Sequence, residues 1–286
     1  MKQEKNKKKI VGLIILHYGR WEVTKECLDA LTSLQSNNFT YKVIVVDNSG
    51  DELTQEKITS HPAVTKLLIP EQNLGFAQGN NLGIKQCQEW NCDYYLFLNN
   101  DTIPEPNFLK ELLKPYTENG KNLGAVGPVI EHKVKGKTYY DYGGYIDWKK
   151  GQPRHFNETE HKLKPSLQSR DFVSGCCMLV SKDVIKKVGV FQPSYFLYLE
   201  DVELCLRIRK GGYNICLAPK AKIFHKGSLS SSELTRILYS WRNSFRLVFG
   251  YVPLKYKPTA FLFNLVFYPL LYLNWQTKRL YHRLKS

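Results

Sequence analysis

The side chains best suited to chemistry in this 286-residue chain are acids and histidines at the ends of apolar runs. Asp101 follows Tyr94–Leu98 and Asn99-Asn100. A carboxylate at an open strand end among asparagines can hold Mg2+ or Mn2+ together with a diphosphate. The same tripeptide also suits a turn in which the aspartate bonds its own backbone. Glu200-Asp201 follows the apolar stretch Tyr195–Leu199 and opens a helical pattern. A helix start favours the ionised carboxylate, while apolar neighbours raise its pKa, which together describe a general base. The alternative is a helix N-cap. His225 ends the run Ala221–Phe224, either as a further metal ligand or as a histidine that only satisfies hydrogen bonds. No G-x-G-x-x-G, G-x-x-x-x-G-K-[ST], H-E-x-x-H or G-x-S-x-G pattern occurs, which argues against Rossmann dehydrogenases, P-loop enzymes, zincins and nucleophile-elbow hydrolases. The seven cysteines form no Cys-x-x-Cys and read as small buried thiols.

These groups need elements to position them. Ile10–Leu16, Val43–Val46, Val64–Ile69 and Tyr94–Leu98 are short continuous apolar runs. Between them, Trp21–Gln35 and Phe76–Glu89 have helical spacing. Such alternation predicts an α/β fold with a mostly parallel sheet covered on both faces. Ligands of such sheets bind outside the carboxyl ends of the strands. His17, Asp47 and Asp101 fall at those ends. Residues 131–170 are polar and read as a long loop or hairpin insertion. Order resumes with the apolar run Phe172–Val180 and the short helices Asp183–Val188 and Asp201–Lys210, the latter closed by Gly211-Gly212. From Leu234 to Val248 apolar residues share one helical arc, flanked by Arg242 and Arg246.

The formal charge of +15 is terminal. Residues 1–9 hold five lysines against Glu4, and residues 226–286 hold ten Lys/Arg against Glu233, leaving only +2 for the body. That distribution suits an anionic surface touched by the ends, and not a nucleic-acid groove through the body. Residues 259–275 are apolar and aromatic, interrupted by Asn264, Pro269 and Asn274 and followed by Lys278, Arg279, Arg283 and Lys285. The segment reads as a helix lying in a membrane interface, with a span or a plain packing helix as alternatives. No secretory leader is legible after the lysine-rich start, so the expected location is cytoplasmic, peripheral on the inner face of the membrane.

Six segments, taken in order, carry a resemblance: VGLIILHYGR (11–20), VIVVDNSGDE (43–52), NLGFAQGNNLGI (73–84), YYLFLNNDT (94–102), FVSGCCMLVSKDVIKKVGVF (172–191) and FLYLEDVELCLRIRKGGYNICLAPKAKIFHKGS (196–228). The chain resembles the inverting family 2 glycosyltransferases with a GT-A fold, and among them the bacterial rhamnosyltransferase-like members. The resemblance implies a basic tail (1–9), a GT-A domain (10–228) and a C-terminal helical, basic and aromatic, membrane-associating extension (229–286). It implies that Asp47 contacts the base or ribose of a nucleotide-sugar donor. His17, Asn73, Gly75, Asn80, Asn100 and Arg242 would line or complete the donor pocket. Asp101 and His225 would bind Mn2+ or Mg2+, and Asp201, with Glu200 beside it, would be the catalytic base. The metal motif here is Asn99-Asn100-Asp101, with a single acid. The implied reaction is metal-dependent transfer from dTDP-rhamnose, or else a UDP-sugar, to a hydroxyl of a cell-surface glycan precursor. The acceptor would be a glycan or a lipid-linked glycan. The other reading is a catalytically impaired nucleotide-sugar-binding protein on the same fold.

Overall fold

The computed structural model describes residues 8–36, 38–118, 122–160, 166–227 and 232–285, with side chains as far as residue 280. Most of the basic tail, the expected boundary at 228–229, and the side chains of Arg283 and Lys285 lie outside the described residues.

Four parallel strands form one half of the sheet: β1 (Lys9–His17), β2 (Phe39–Asp47), β3 (Lys66–Leu68) and β4 (Tyr94–Asn99), in the order β3-β2-β1-β4. Beyond β4 the order continues through β10 (Cys177–Ser181), β6 (Leu123–Val134) and β11 (Asn214–His225). From β3 to β11 among the described residues, β10 runs against the other strands. The short β5 (Thr102–Pro104) closes the far edge against β11. In β1, β2 and β4, alternate residues enter two separate cores. Ile14, Ile44 and Phe97 face one; Leu13, Ile15, Val43, Val45, Leu96 and Leu98 face the other. A strand buried on both faces must read as a continuous apolar run, which is why the pattern was legible.

Helices α1 (Trp21–Leu31), α2 (Glu52–Thr59) and α4 (Phe108–Glu118) cover the second face. On the first lie α3 (Gly75–Glu89), α5 (Lys182–Val188) and α6 (Glu200–Lys210), joined by α7 (Glu233–Tyr251) and the start of α8 (Lys257–Lys285). Two expectations are corrected. The first helix stops at Leu31, short of Gln35, because the Thr32 and Ser33 hydroxyls bond the carbonyls of Asp29 and Ala30 and compete with the ladder. Of Phe172–Val180, only the part from Cys177 enters the sheet; the chain before it bends so that Gly144 N donates to Phe172 O. The polar stretch 131–170 is a meander of the β6 tail, β7 (Lys137–Asp147), β8 (Gln152–Glu158) and β9 (Gln168–Arg170). Lys135 and Gly136, both at positive φ, make its first tight turn.

Candidate active site

Residue pairing sets the strand ends level. His17 stands beside Asp47, and Leu16 beside Asn99. Around these ends opens a cavity of about 430 Å3, with Leu16, Tyr18, Asn48 and Asn73 on one side and Asn99, Asn100, Asp101 and His225 on another. Phe196, Leu197, Tyr198 and Tyr239 complete an aromatic wall. A second cavity, of about 390 Å3, opens at Lys9, Phe39 and Tyr94, where the strands begin. The carboxyl-end rule selects the first, and Asp101 and His225 lie there too.

Pairing of β5 with β11 places Thr102 beside His225, so Asp101 and the histidine meet. Asp101 Oδ1 and His225 Nε2 are 3.1 Å apart. Both atoms are shielded from solvent, and neither has a hydrogen-bond partner. The two buried atoms are within ion-pair range but make no hydrogen bond, so a shared third atom would satisfy both. Adjacent ligands of an octahedral ion with bonds of about 2.1 Å are roughly 3 Å apart, so with Nε2 unprotonated this pair fits one edge of a divalent cation's coordination shell. Among the described residues no third His, Cys, Asp or Glu joins them.

Asp201 is held differently. Its Oδ2 accepts from Gly175 N and its Oδ1 from Val202 N, both at 2.7 Å. Gly175 has no room for a side chain: a Cβ there would lie 2.9 Å from Asp201 Cβ. The N-cap position of α6 belongs to Leu199, so Asp201 does not cap the helix. Burial pushes its carboxyl up, against the two amides and the charge of His155, which pull it down. His155 itself bonds Asp141 Oδ2 at 2.8 Å. Glu200 is almost wholly buried, and burial together with the Asp201 charge raises it well above the usual carboxylate range. Next along the chain from Gly175, Cys176 O accepts from Asn99 N, which ties the Asp201 support to the cavity edge.

Of the residues expected from sequence, Asn73, Gly75, Asn100, Asp101 and His225 line this one cavity. His17, Asp47, Asn80, Arg242, Glu200 and Asp201 are not among its lining residues. His17 is fully buried, bonds Thr24 Oγ1 through Nδ1, and burial lowers its pKa. The Asp47 carboxylate is taken up by Ser49 and Gln55. Asn80 donates to Phe76 O inside α3. Arg242 donates to the carbonyls of Ser194 and Tyr195 and lies over the Tyr239 ring. Gly75 is at φ +66°, and a Cβ there would fall 2.6 Å from both the ring and the carbonyl oxygen of Phe196. Sequence reasoning gave no site role to Tyr18, Asn48 or Tyr198, and reached Tyr239 only as part of the segment before Arg242. Each is within three residues of a residue it had singled out, but nothing local marks their direction.

The glycosyl transferase family 2 model matches residues 13–189, more than half of the chain. An N-acetylglucosaminyl-diphospho-decaprenol L-rhamnosyltransferase of Mycobacterium tuberculosis (strain CDC 1551 / Oshkosh) is 28% identical over 67% of this chain and 68% of its own length. Rhamnosyltransferase WbbL of Escherichia coli (strain K12) is 27% identical over 83% of this chain and 92% of its own. Among solved structures, GalNAc-T7 with UDP, GalNAc and Mn2+ superimposes with a TM-score of 0.65 at 15% identity, covering 86% of this chain. This chain spans about half of that structure, 48%, and the likeness is one of fold. With the GT-A fold and this match, the chain belongs to glycosyl transferase family 2, as a rhamnosyltransferase-like member.

Proposed function

We propose that this glycosyltransferase moves a sugar, with inversion, from a nucleotide-sugar to a hydroxyl of a bacterial cell-surface glycan precursor. dTDP-rhamnose is the first candidate donor and a UDP-sugar the second. The observation that carries the reading is the 3.1 Å gap between Asp101 Oδ1 and His225 Nε2 at the edge of the cavity. These two atoms would hold Mn2+ or Mg2+, which when bound neutralises charge developing on the departing nucleoside diphosphate. Asn73 Nδ2 and Asn100 Oδ1, the amide atoms not bonded to Gly75 or Thr24, are offered to the donor, while Asn48 is bonded to Leu74 and Gly75 and shapes the wall, and the aromatic side chains exclude water. Asp201 takes the proton of the attacking hydroxyl on a carboxylate lone pair not used by Gly175 or Val202. A single displacement with inversion needs only one such base. His155, beside Asp141, steadies the carboxylate before transfer.

The acceptor would be a glycan or lipid-linked glycan met at the cytoplasmic face of the membrane, with α8 lying in the anionic surface. One face of α8 is spent on the protein: Asn264 donates to Lys150 O and accepts from Gln152, and Tyr268 stacks on Trp241. The opposite face exposes Leu262, Leu265, Val266, Leu270 and Leu273. No helix among the described residues is long and apolar enough to cross a membrane. Basic residues beside an anionic leaflet gain about 1 kcal/mol each.

The test is release of nucleoside diphosphate from candidate donors by the full chain with Mn2+ and a lipid-linked acceptor, with and without anionic vesicles. Donor binding without release under any of these conditions would favour the catalytically impaired reading, for which the single-acid motif speaks.

A further inference from the structure

One wall of the cavity is made of strained backbone. Phe196, Tyr198 and Leu199 are at φ 58°, 66° and 67°, and none is glycine. Left-handed conformations cost about 1–3 kcal/mol each in such residues and persist only where the surroundings over-determine them. Three sets of contacts do so here. Phe196 O accepts from Phe76 N and Ala77 N at 2.6 and 3.2 Å, at the start of α3. The Phe196 ring stacks on Tyr239 of α7 with centroids 5.3 Å apart. The third contact is Asn243, fully buried on α7, whose Nδ2 lies 2.9, 2.9 and 2.7 Å from the carbonyls of Tyr195, Leu197 and Tyr198. Its Oδ1 accepts from Arg242 Nε and Arg246 Nη1 at 3.2 and 2.8 Å. Two guanidinium groups therefore fix which way the amide faces, with its donors toward the loop. Asparagine is a poor helix-interior residue, and these bonds serve a segment some 45 residues away in sequence.

We infer that Asn243 is a positioning residue for transfer: its amide holds residues 195–198 in the shape that walls the donor cavity and sets Glu200 and Asp201 at the start of α6. This rests on the reading of the cavity as the donor site. The loop has few other ways to stay strained. Arg242 reaches only the carbonyls of Ser194 and Tyr195, ahead of the left-handed residues. Without the amide, the carbonyls of Tyr195, Leu197 and Tyr198 lose the donor that ties them to α7. The loop then relaxes, carrying Phe196 away from Tyr239 and Phe76 and turning the entrance to α6.

The experiment compares Asn243→Asp, Asn243→Ala and wild type as full chains. Aspartate is nearly isosteric and still accepts from both arginines, but it turns a carboxylate oxygen toward three carbonyl oxygens. A side chain that only fills space would tolerate it. Stranding two or three buried carbonyls is expected to lower kcat/KM by about 100-fold, with KM for the donor raised as well as kcat lowered, and the aspartate is the more damaging variant. Hydrogen exchange at 196–199 and at Phe76–Ala77 is expected to quicken by roughly tenfold or more while the strands keep wild-type protection. Wild-type kinetics and exchange in Asn243→Asp would overturn the inference. So would exchange that rises evenly along the chain, or failure of both variants to fold, because the position would then serve folding alone. Exchange needs no substrate: if it rises locally in a protein whose wild type binds no nucleotide-sugar, the loop clamp stands and the donor-site reading falls.

Discussion

Gly75→Ala probes the junction on which the cavity depends. The backbone at Gly75 has φ +66°, which costs an alanine about 1–2 kcal/mol. The new Cβ would sit 2.6 Å from Phe196 O and 2.6 Å from its ring, so Phe196 must retreat by roughly 0.8 Å to reach ordinary contact at about 3.4 Å. Phe196 O is the acceptor for Phe76 N and Ala77 N, and weakening two such bonds adds about 1–2 kcal/mol. The sum is about 2–4 kcal/mol, a drop in Tm of roughly 3–7 °C for a chain of this size. The same retreat separates Phe196 from Tyr239 and opens the aromatic wall, so donor affinity is expected to fall by about tenfold. Calorimetric melting and donor titration read both effects on one preparation. A variant that melts within a degree of wild type and binds donor equally well would refute the packing of Phe196 on Gly75.

Four further outcomes are expected. Asp201→Asn should lower turnover by about 10²–10⁴-fold with little change in donor affinity, since the side chain is outside the cavity lining; retained turnover would remove Asp201 as the base. Because burial raises that carboxyl from its ordinary 3.8 and the base must be ionised, the acid limb of the rate profile should lie above that value, and a limb at or below it would contradict the burial. Glu200 is raised from 4.5 in the folded state, so it contributes stability at acid pH that is lost as pH rises through the folded pKa. Glu200→Gln should therefore melt higher than wild type at neutral pH and about equally at pH 4, and the opposite trend would contradict a protonated Glu200. Glu203 is buried and paired twice with Arg207, at 2.7 and 2.8 Å, with the Tyr251 hydroxyl as a third partner. Glu203→Ala should cost about 3–5 kcal/mol because it strands the guanidinium; a loss within experimental error in chemical denaturation would show the pair to be replaceable.

The strands were legible because burial on both faces leaves no polar side chain in the stretches Val11–Ile15 of β1, Val43–Val46 of β2 and Leu96–Leu98 of β4. The strand-end rule pointed, without any motif, to the end of the sheet where the cavity opens, and Asp101 and His225 meet at its edge because β5 pairs with β11, a contact between residues over a hundred positions apart. What escaped the sequence was of three kinds. The left-handed loop at 196–199 contains no glycine, so nothing local announces it; tertiary hydrogen bonds impose it. Asn264 read as an interruption of an apolar helix, yet it is the buried polar anchor that seats α8 on Lys150 and Gln152. His17 and Asp47 are at the strand ends as expected, but their side chains turn to Thr24, Ser49 and Gln55, a choice of rotamer that spacing does not encode.

Calorimetric titration of the nucleotide-sugar into wild type and Asp101→Asn, each with and without Mn2+, tests most directly whether the Asp101–His225 pair makes the donor site. In wild type, Mn2+ should tighten binding by about tenfold or more, and Asp101→Asn should abolish that gain while keeping its melting temperature. Equal Mn2+-dependent binding by both proteins would contradict the assignment of the donor site to this pair.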